Sequence, residues 1–264
     1  MPLSSGLSGA RVLVTAASQG IGFGAARAFL AEGARVVVNS SNPEKLARAT
    51  RSLASEGEVH GVAADLRDRA DLDRLLEETV RLLGGLDTLV YVTGSPRPGI
   101  YMEQSFDDWD AAARLLVVSP AYLARKAAEA MLAHGHGGRM VFLTSIAIRE
   151  PIPTIATSSV CRIAVAGLVR TLARELGPKG IRVNGILPGY IRTDRLDDVT
   201  ADTARRRGTT PETERAALER EIPLGRVGTP EELARAVVFL GSEMSTYVSG
   251  ALLPVDGGLL RSVG

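Results

Sequence analysis

Six short runs rich in Val, Ile and Leu recur along the chain (ARVLVT, ARVVVNS, GVAA, LDTLVYV, RMVFLTS and IRVNGIL), and longer segments of helical period separate them. The runs are apolar almost throughout, so each predicts a strand covered on both faces rather than one with a wet side. The intervening segments predict helices near 20–31, 43–56, 68–83, 106–134, 155–177 and 230–241. Gly33, Gly57, Gly84, Gly135 and Gly180 follow helix ends, where a left-handed stop is expected. A last run, ALLPVDGG, adds a closing strand. The alternation predicts an α/β doubly wound parallel sheet with helices on both faces. With no internal repeat and no linker-like break, residues 1–264 are expected to form one domain. Residues 194–225 stand apart, being polar, helical in period and longer than a βα connection needs. Their expected role is a lid or substrate loop, with a packing appendage as the alternative.

Composition narrows the function classes. Thirty-one Lys plus Arg against thirty Asp plus Glu give a net charge of +1, so nothing biases the chain towards nucleic acid or an anionic membrane. The one basic cluster, Arg205-Arg206-Arg207, lies among Asp197, Asp198, Asp202, Glu212 and Glu214 and reads as a solvated helix face. A single cysteine, Cys161, excludes an intrachain disulfide, fits a reducing compartment and is expected to be a small buried filler. The histidines, His60, His134 and His136, do not suggest a metal site. No stretch reaches about 18 uninterrupted apolar residues, and the start lacks the pattern of a signal peptide. A cytoplasmic protein is expected, with neither nucleic acid nor membrane as a partner.

The first strand runs directly into TAASQGIGFGAARAFLAEG, a glycine-containing turn that opens a helix. Such a turn aims free N–H groups and the positive helix end at a diphosphate. Gly20 would let the backbone approach the phosphate, and Gly22 would let the helix pack on the sheet. The turn resembles that of the short-chain dehydrogenase/reductase family, usually Thr-Gly-x-x-x-Gly-x-Gly. Here it reads Thr15-Ala16-Ala17-Ser18-Gln19-Gly20-Ile21-Gly22, with alanine at the first glycine. The resemblance continues through Asp65 and Leu66 in AADL, Gly94 after the fourth strand, LTS ending at Ser145, PGYIRT from Pro188, and VDGG near the end.

That resemblance implies a Rossmann-like fold with strand order 3-2-1-4-5-6-7 and a nicotinamide dinucleotide at the carboxyl ends of the strands. It implies cofactor contacts from Thr15, Ser18, Gln19, Gly20, Ile21, Gly22, Asp65, Leu66, Gly94, Arg162, Pro188, Gly189, Ile191 and Thr193. At the end of the second strand no acid precedes Glu44, so Asn39, Ser40 and Ser41 leave room for a 2′-phosphate and offer it uncharged hydrogen bonds. The family's usual basic residues for that phosphate are also missing, their places taken by Gln19 and Ser41. NADP is the preferred cofactor and NAD stays open. The polar residues here could alternatively cap the next helix, with Pro43 in its first turn.

The family's catalytic set is a serine, a Tyr-x-x-x-Lys pair and a helical asparagine. The serine matches Ser145. The tyrosine position falls on Ser158 and the lysine position on Arg162, within SSVCR. The asparagine position falls on Leu116 or Val117, and the stretch before Gly94 is Tyr91-Val92-Thr93. A serine is a far weaker acid than a tyrosine, and an arginine keeps the charge but cannot relay a proton. Loss of a general acid removes about 10² to 10⁴ in rate without abolishing hydride transfer. The expected catalytic set is therefore Ser145, Ser158 and Arg162, with Tyr101 or Tyr190 as substitute donors or plain pocket walls. Ser158 reads equally well as an ordinary helix-start residue. The expected function is an NAD(P)(H)-dependent oxidoreductase acting on a small carbonyl or alcohol substrate. Two alternatives stay open: a dinucleotide-binding protein without redox turnover, and a family-shaped enzyme with non-redox chemistry. The apolar faces of the helices at 106–134 and 155–177 suggest a homo-oligomer, dimer or tetramer, unless one chain buries them itself.

Overall fold

The computed structural model describes residues 4–135 and 137–262. His136, read in sequence as part of a glycine-rich loop, lies outside them. The strands are β1 (Arg11–Val14), β2 (Arg35–Ser40), β3 (Val59–Ala63), β4 (Thr88–Tyr91), β5 (Gly138–Leu143), β6 (Ile181–Pro188) and β7 (Leu252–Val255). The helices are α1 (Gly20–Ala31), α2 (Pro43–Leu53), α3 (Arg69–Leu83), α4 (Phe106–Ala113), α5 (Ser119–Ala133), α6 (Ala156–Leu176), α7 (Asp194–Arg207), α8 (Pro211–Glu221) and α9 (Pro230–Leu240). The seven strands form one sheet in the order 3-2-1-4-5-6-7, every pair parallel, as expected from the sequence.

Successive strand residues point to opposite faces of a sheet. Val12 and Val14 therefore pack with Val36, Val38 and Val90 against Ala25 and Phe29 of α1 and Leu233 and Val237 of α9. Leu13 goes the other way, joining Val37, Leu89, Met140 and Phe142 against Leu72 and Leu75 of α3, Leu123 and Met131 of α5, and Val165 of α6. Both faces are covered, which is why the runs show no polar alternation. Each such side chain contributes about 1.5–3 kcal/mol of burial. Helix α6 is long and apolar enough to cross a membrane by composition, but it packs on β6 and α5 as a helix of the core.

The helix expected over 106–134 is interrupted by a π-helical turn at Arg114–Val118. Pro120 has no N–H for the Leu116 carbonyl, and its ring would crowd that carbonyl in a regular α-helix. The chain widens instead, and the Ser119 N–H bonds Arg114 O, five residues back. Strand order reverses between β1 and β4, so the loops leaving their carboxyl ends diverge and open a crevice there.

Candidate active site

The crevice begins with the turn after β1. Thr15 is fully buried, and its Oγ1 donates to Val92 O at 2.5 Å and accepts from the Val92 N–H at 2.9 Å. Expected as a cofactor contact, its side chain instead clamps β1 to β4, because both hydroxyl functions are spent on backbone. Ala16 is left-handed at φ +46, a conformation that costs a residue with a Cβ about 1–2 kcal/mol. Asn39 holds the turn in place: its Oδ1 accepts from the Ala16 N–H at 3.3 Å and its carbonyl from the Ala17 N–H at 2.8 Å. A Cβ on Gly22 would lie 2.5 Å from Ala16 O, so only glycine lets α1 start this close to the turn. Gln19 caps α1 without a side-chain bond, and the N–H groups of Gly20, Ile21 and Gly22 meet no acceptor among the described residues. Free donors on a narrow glycine cradle at a positive helix end fit a dinucleotide diphosphate. Ser18 is half-buried beside them, and the Gln19 amide donates to Asp194 Oδ2 at 3.2 Å.

The specificity end departs from the expectation at one residue. Asn39 is fully buried, and its amide nitrogen donates to Val62 O at 3.2 Å and Ala64 O at 3.0 Å. With Oδ1 on Ala16, no part of that side chain is left for a 2′-phosphate. Ser40 is also buried and accepts from the Asn42 N–H at 3.2 Å, while Ser41 is exposed. Asn42, not the serines, caps α2 by accepting from the Lys45 N–H. Asp65 is half-buried and bound by Arg67 Nη2 at 2.6 Å, a hydrogen bond that lowers its carboxyl pKa. Leu66 turns its side chain into the core, which leaves only its backbone for a ligand. Gly94 is exposed with open space where a Cβ would stand. From the far side, β6 ends at Pro188, Gly189 packs on Asp256, and Ile191 pairs with Gly228. Thr193 then comes so near the first turn that its Cγ2 lies 3.3 Å from where a Gly20 Cβ would be.

Across the crevice, Ser145 follows β5 and accepts from the Ala147 N–H at 3.1 Å, which leaves its own O–H proton to donate. Arg162 is only 7% exposed, on the same face of α6 as Ser158 one turn back. Its Nε donates to Ser158 Oγ at 3.0 Å, and its Nη1 donates to Leu143 O and Thr144 O, each at 3.2 Å. The register would bring residue 188 to Thr144 O, but proline has no N–H, and the guanidinium takes that carbonyl instead. Every acceptor on Arg162 is neutral, and burial pushes its pKa down to about 10. Its Nη2 has no hydrogen-bond partner within the chain. Arg162 thus ties Ser158 to the strand end that Ser145 follows.

The two expected substitute tyrosines share no hydrogen bond with this group. Tyr101 is exposed, edge-on to Trp109, and lines an apolar cavity of about 420 Å³ with Ile152 and Val160. Tyr190 packs against Leu196, Ile222 and Val227, and burial raises its phenol pKa. The buried phenol that does feel the Arg162 charge is Tyr91, whose hydroxyl donates to Leu115 O in the π-turn at 3.1 Å. Ser119 Oγ donates to Arg114 O there at 2.8 Å, so two carbonyls of the widened turn are satisfied by side chains.

A family model described as enoyl-(acyl carrier protein) reductase matches residues 15–260. Bovine (Bos taurus) dehydrogenase/reductase SDR family member 4 is 35% identical over 250 residues, covering 94% of this chain and 86% of that protein. The chain belongs to the short-chain dehydrogenase/reductase family. Glucose 1-dehydrogenase of Gluconobacter oxydans is 34% identical, with 98% of this chain and 94% of that protein aligned. The crystal structure of L-sorbose reductase from Gluconobacter frateurii, complexed with NADPH and L-sorbose, superposes with a TM-score of 0.93 at 32% identity, over 99% of this chain and 100% of that one. The fold and chemistry are those of NAD(P)-dependent oxidoreductases. Within that frame, two residues of the crevice went unassigned in the sequence. Tyr91 was visible as the aromatic that ends β4. Arg195, in the first turn of α7, carried no local signal, because only the fold brings it near Arg162.

Proposed function

We propose that this short-chain dehydrogenase/reductase is an NADPH-dependent reductase of a small carbonyl compound whose oxyanion is met by a buried guanidinium rather than by a Tyr–Lys pair. The observation that carries this reading is Arg162, a cation without a carboxylate partner, bonded to Ser158 and to the strand end before Ser145. Gly20, Ile21 and Gly22 would hold the diphosphate, Ser40 and Ser41 the 2′-phosphate, and Asp65, Gly94 and Thr193 the rest of the dinucleotide. NADPH, when bound, supplies the hydride. The Ser145 and Ser158 hydroxyls donate to the carbonyl oxygen as negative charge grows on it. Because Ser158 Oγ accepts from Arg162 Nε, its O–H is both free and polarised by the adjacent charge. Protonation then comes from solvent through Ser158, giving an alcohol from the carbonyl with one hydride and one proton consumed.

The lid expected at 194–225 is built by α7 and α8, and it supports the same reading. Arg206 Nη1 on α7 reaches Glu103 Oε1 at 2.9 Å across the mouth of the crevice. Val118, Val160 and Ile163 are 42%, 55% and 48% exposed on π-turn and α6, which supports a second copy of the chain packing there. The rest of the expected interface is buried within one chain, as Leu123, Met131, Val165 and Val169 show. The test is to follow NADPH absorbance and fluorescence while the protein meets a panel of aldehydes and ketones. Turnover on at least one carbonyl is the expected result. Saturable NADPH binding without oxidation across the panel would instead favour a dinucleotide-binding protein without turnover.

A further inference from the structure

Arg195 sits in the first turn of α7, where the helix dipole disfavours a cation. It is half-buried, burial lowers its pKa, and it has neither a hydrogen bond nor an ion pair among the described residues. The acids of its own helix are engaged elsewhere or out of reach. Asp194 accepts from Gln19, Asp197 pairs with Arg215, and Asp202 holds Arg205 and Arg206. Asp198 attracts Arg195 only from beyond ion-pair distance. Arg195 also lies close enough to Arg162 to push that guanidinium further from its ordinary value. Two inward cations thus share one end of the crevice without an anion between them, and Arg162 Nη2 is unpartnered although the side chain is more than nine-tenths buried.

Desolvated like charges persist where a ligand of opposite charge completes them. We propose that Arg195 is the anchor for an anionic group on the substrate, so that the crevice takes an oxo acid: a carbonyl compound bearing a carboxylate near the reacting carbon. This rests on the reductase reading above. The cofactor's diphosphate is a second source of the same oxyanion chemistry, but it has its own donors on the turn at Gly20–Gly22. Arg195 is coupled to the reaction end instead.

Calorimetric titration of the NADPH-loaded protein with phenylacetate and with phenylacetamide, neither of which can be reduced, separates the cases. In the unsubstituted protein the acid should bind about 10-fold or more tightly than the amide. Arg195→Gln should weaken phenylacetate by about 10- to 100-fold and leave phenylacetamide and NADPH unchanged. Arg195→Lys should recover part of the loss, since it restores charge without the planar fork. Equal binding of acid and amide, or binding of neither, overturns the inference. So does a loss of NADPH affinity in Arg195→Gln that matches the loss of phenylacetate, which would assign the guanidinium to the cofactor. Failure of the unsubstituted protein to bind NADPH at all would overturn the reductase reading itself.

Discussion

Arg162 holds a positive charge in the interior with only neutral acceptors around it, and two opposing quantities decide what its removal does. Releasing an unpaired buried charge favours the folded state by about 1–4 kcal/mol. Stranding Leu143 O, Thr144 O and Ser158 Oγ costs about 1–3 kcal/mol. These nearly cancel, so Arg162→Met should leave the melting temperature almost unchanged while lowering kcat/KM by about 10²–10³, the usual loss when an oxyanion donor is deleted. A fall in both together would assign Arg162 to structure rather than to reaction. The sign with pH follows from the lowered pKa. The folded state carries its full penalty below about pH 10, and stability from this group rises only as pH climbs from there towards 12.5. Varying pH between 6 and 9 should therefore not relieve it. Ser158 and Arg162 were legible in SSVCR, because their spacing alone puts them on one helix face. Thr15 and Asn39 were not, since burial and backbone partners decide their roles, and neither is written locally.

The elements themselves were read with more success than the turns between them. Strands covered on both faces announce themselves as unbroken apolar runs, so the sheet and its order followed from the alternation and the family resemblance. The π-turn at Arg114–Val118 was missed because apolar periodicity passes through it smoothly, and only Pro120 hinted at it. It matters to the site, since Tyr91 and Ser119 seal the carbonyls it frees. The lid offers a cleaner test at this scale. The Arg206–Glu103 pair is exposed, and pairs of that kind add little to global stability. Glu103→Gln should accordingly leave the melting temperature where it is, raise KM and increase proteolytic nicking between residues 194 and 221. An unchanged KM with unchanged nicking would show that α7 and α8 are a fixed appendage.

At the scale of the whole molecule, the exposed apolar strip formed by Val118, Val160 and Ile163 lies outside the crevice and on the side of the sheet covered by α5 and α6. If it pairs copies of the chain, Ile163→Asp should lower the mass seen by light scattering to that of one 27.9 kDa chain without abolishing NADPH binding. A wild-type protein already at that mass would remove the assembly from the account. The crevice, by contrast, belongs to a single chain, and it is assembled from the ends of β1, β2, β4, β5 and β6. Its function depends on one physical claim: the glycine turn receives the dinucleotide and so sets the reaction opposite Ser145 and Arg162. Fluorescence titration with NADPH tests that claim most directly, using the natural chain beside Gly20→Asp, which puts a side chain and a negative charge where φ is +58. Saturable binding by the natural chain, lost in Gly20→Asp while circular dichroism stays native, is the predicted result. Equal binding by both chains, or none by the natural one, would contradict it.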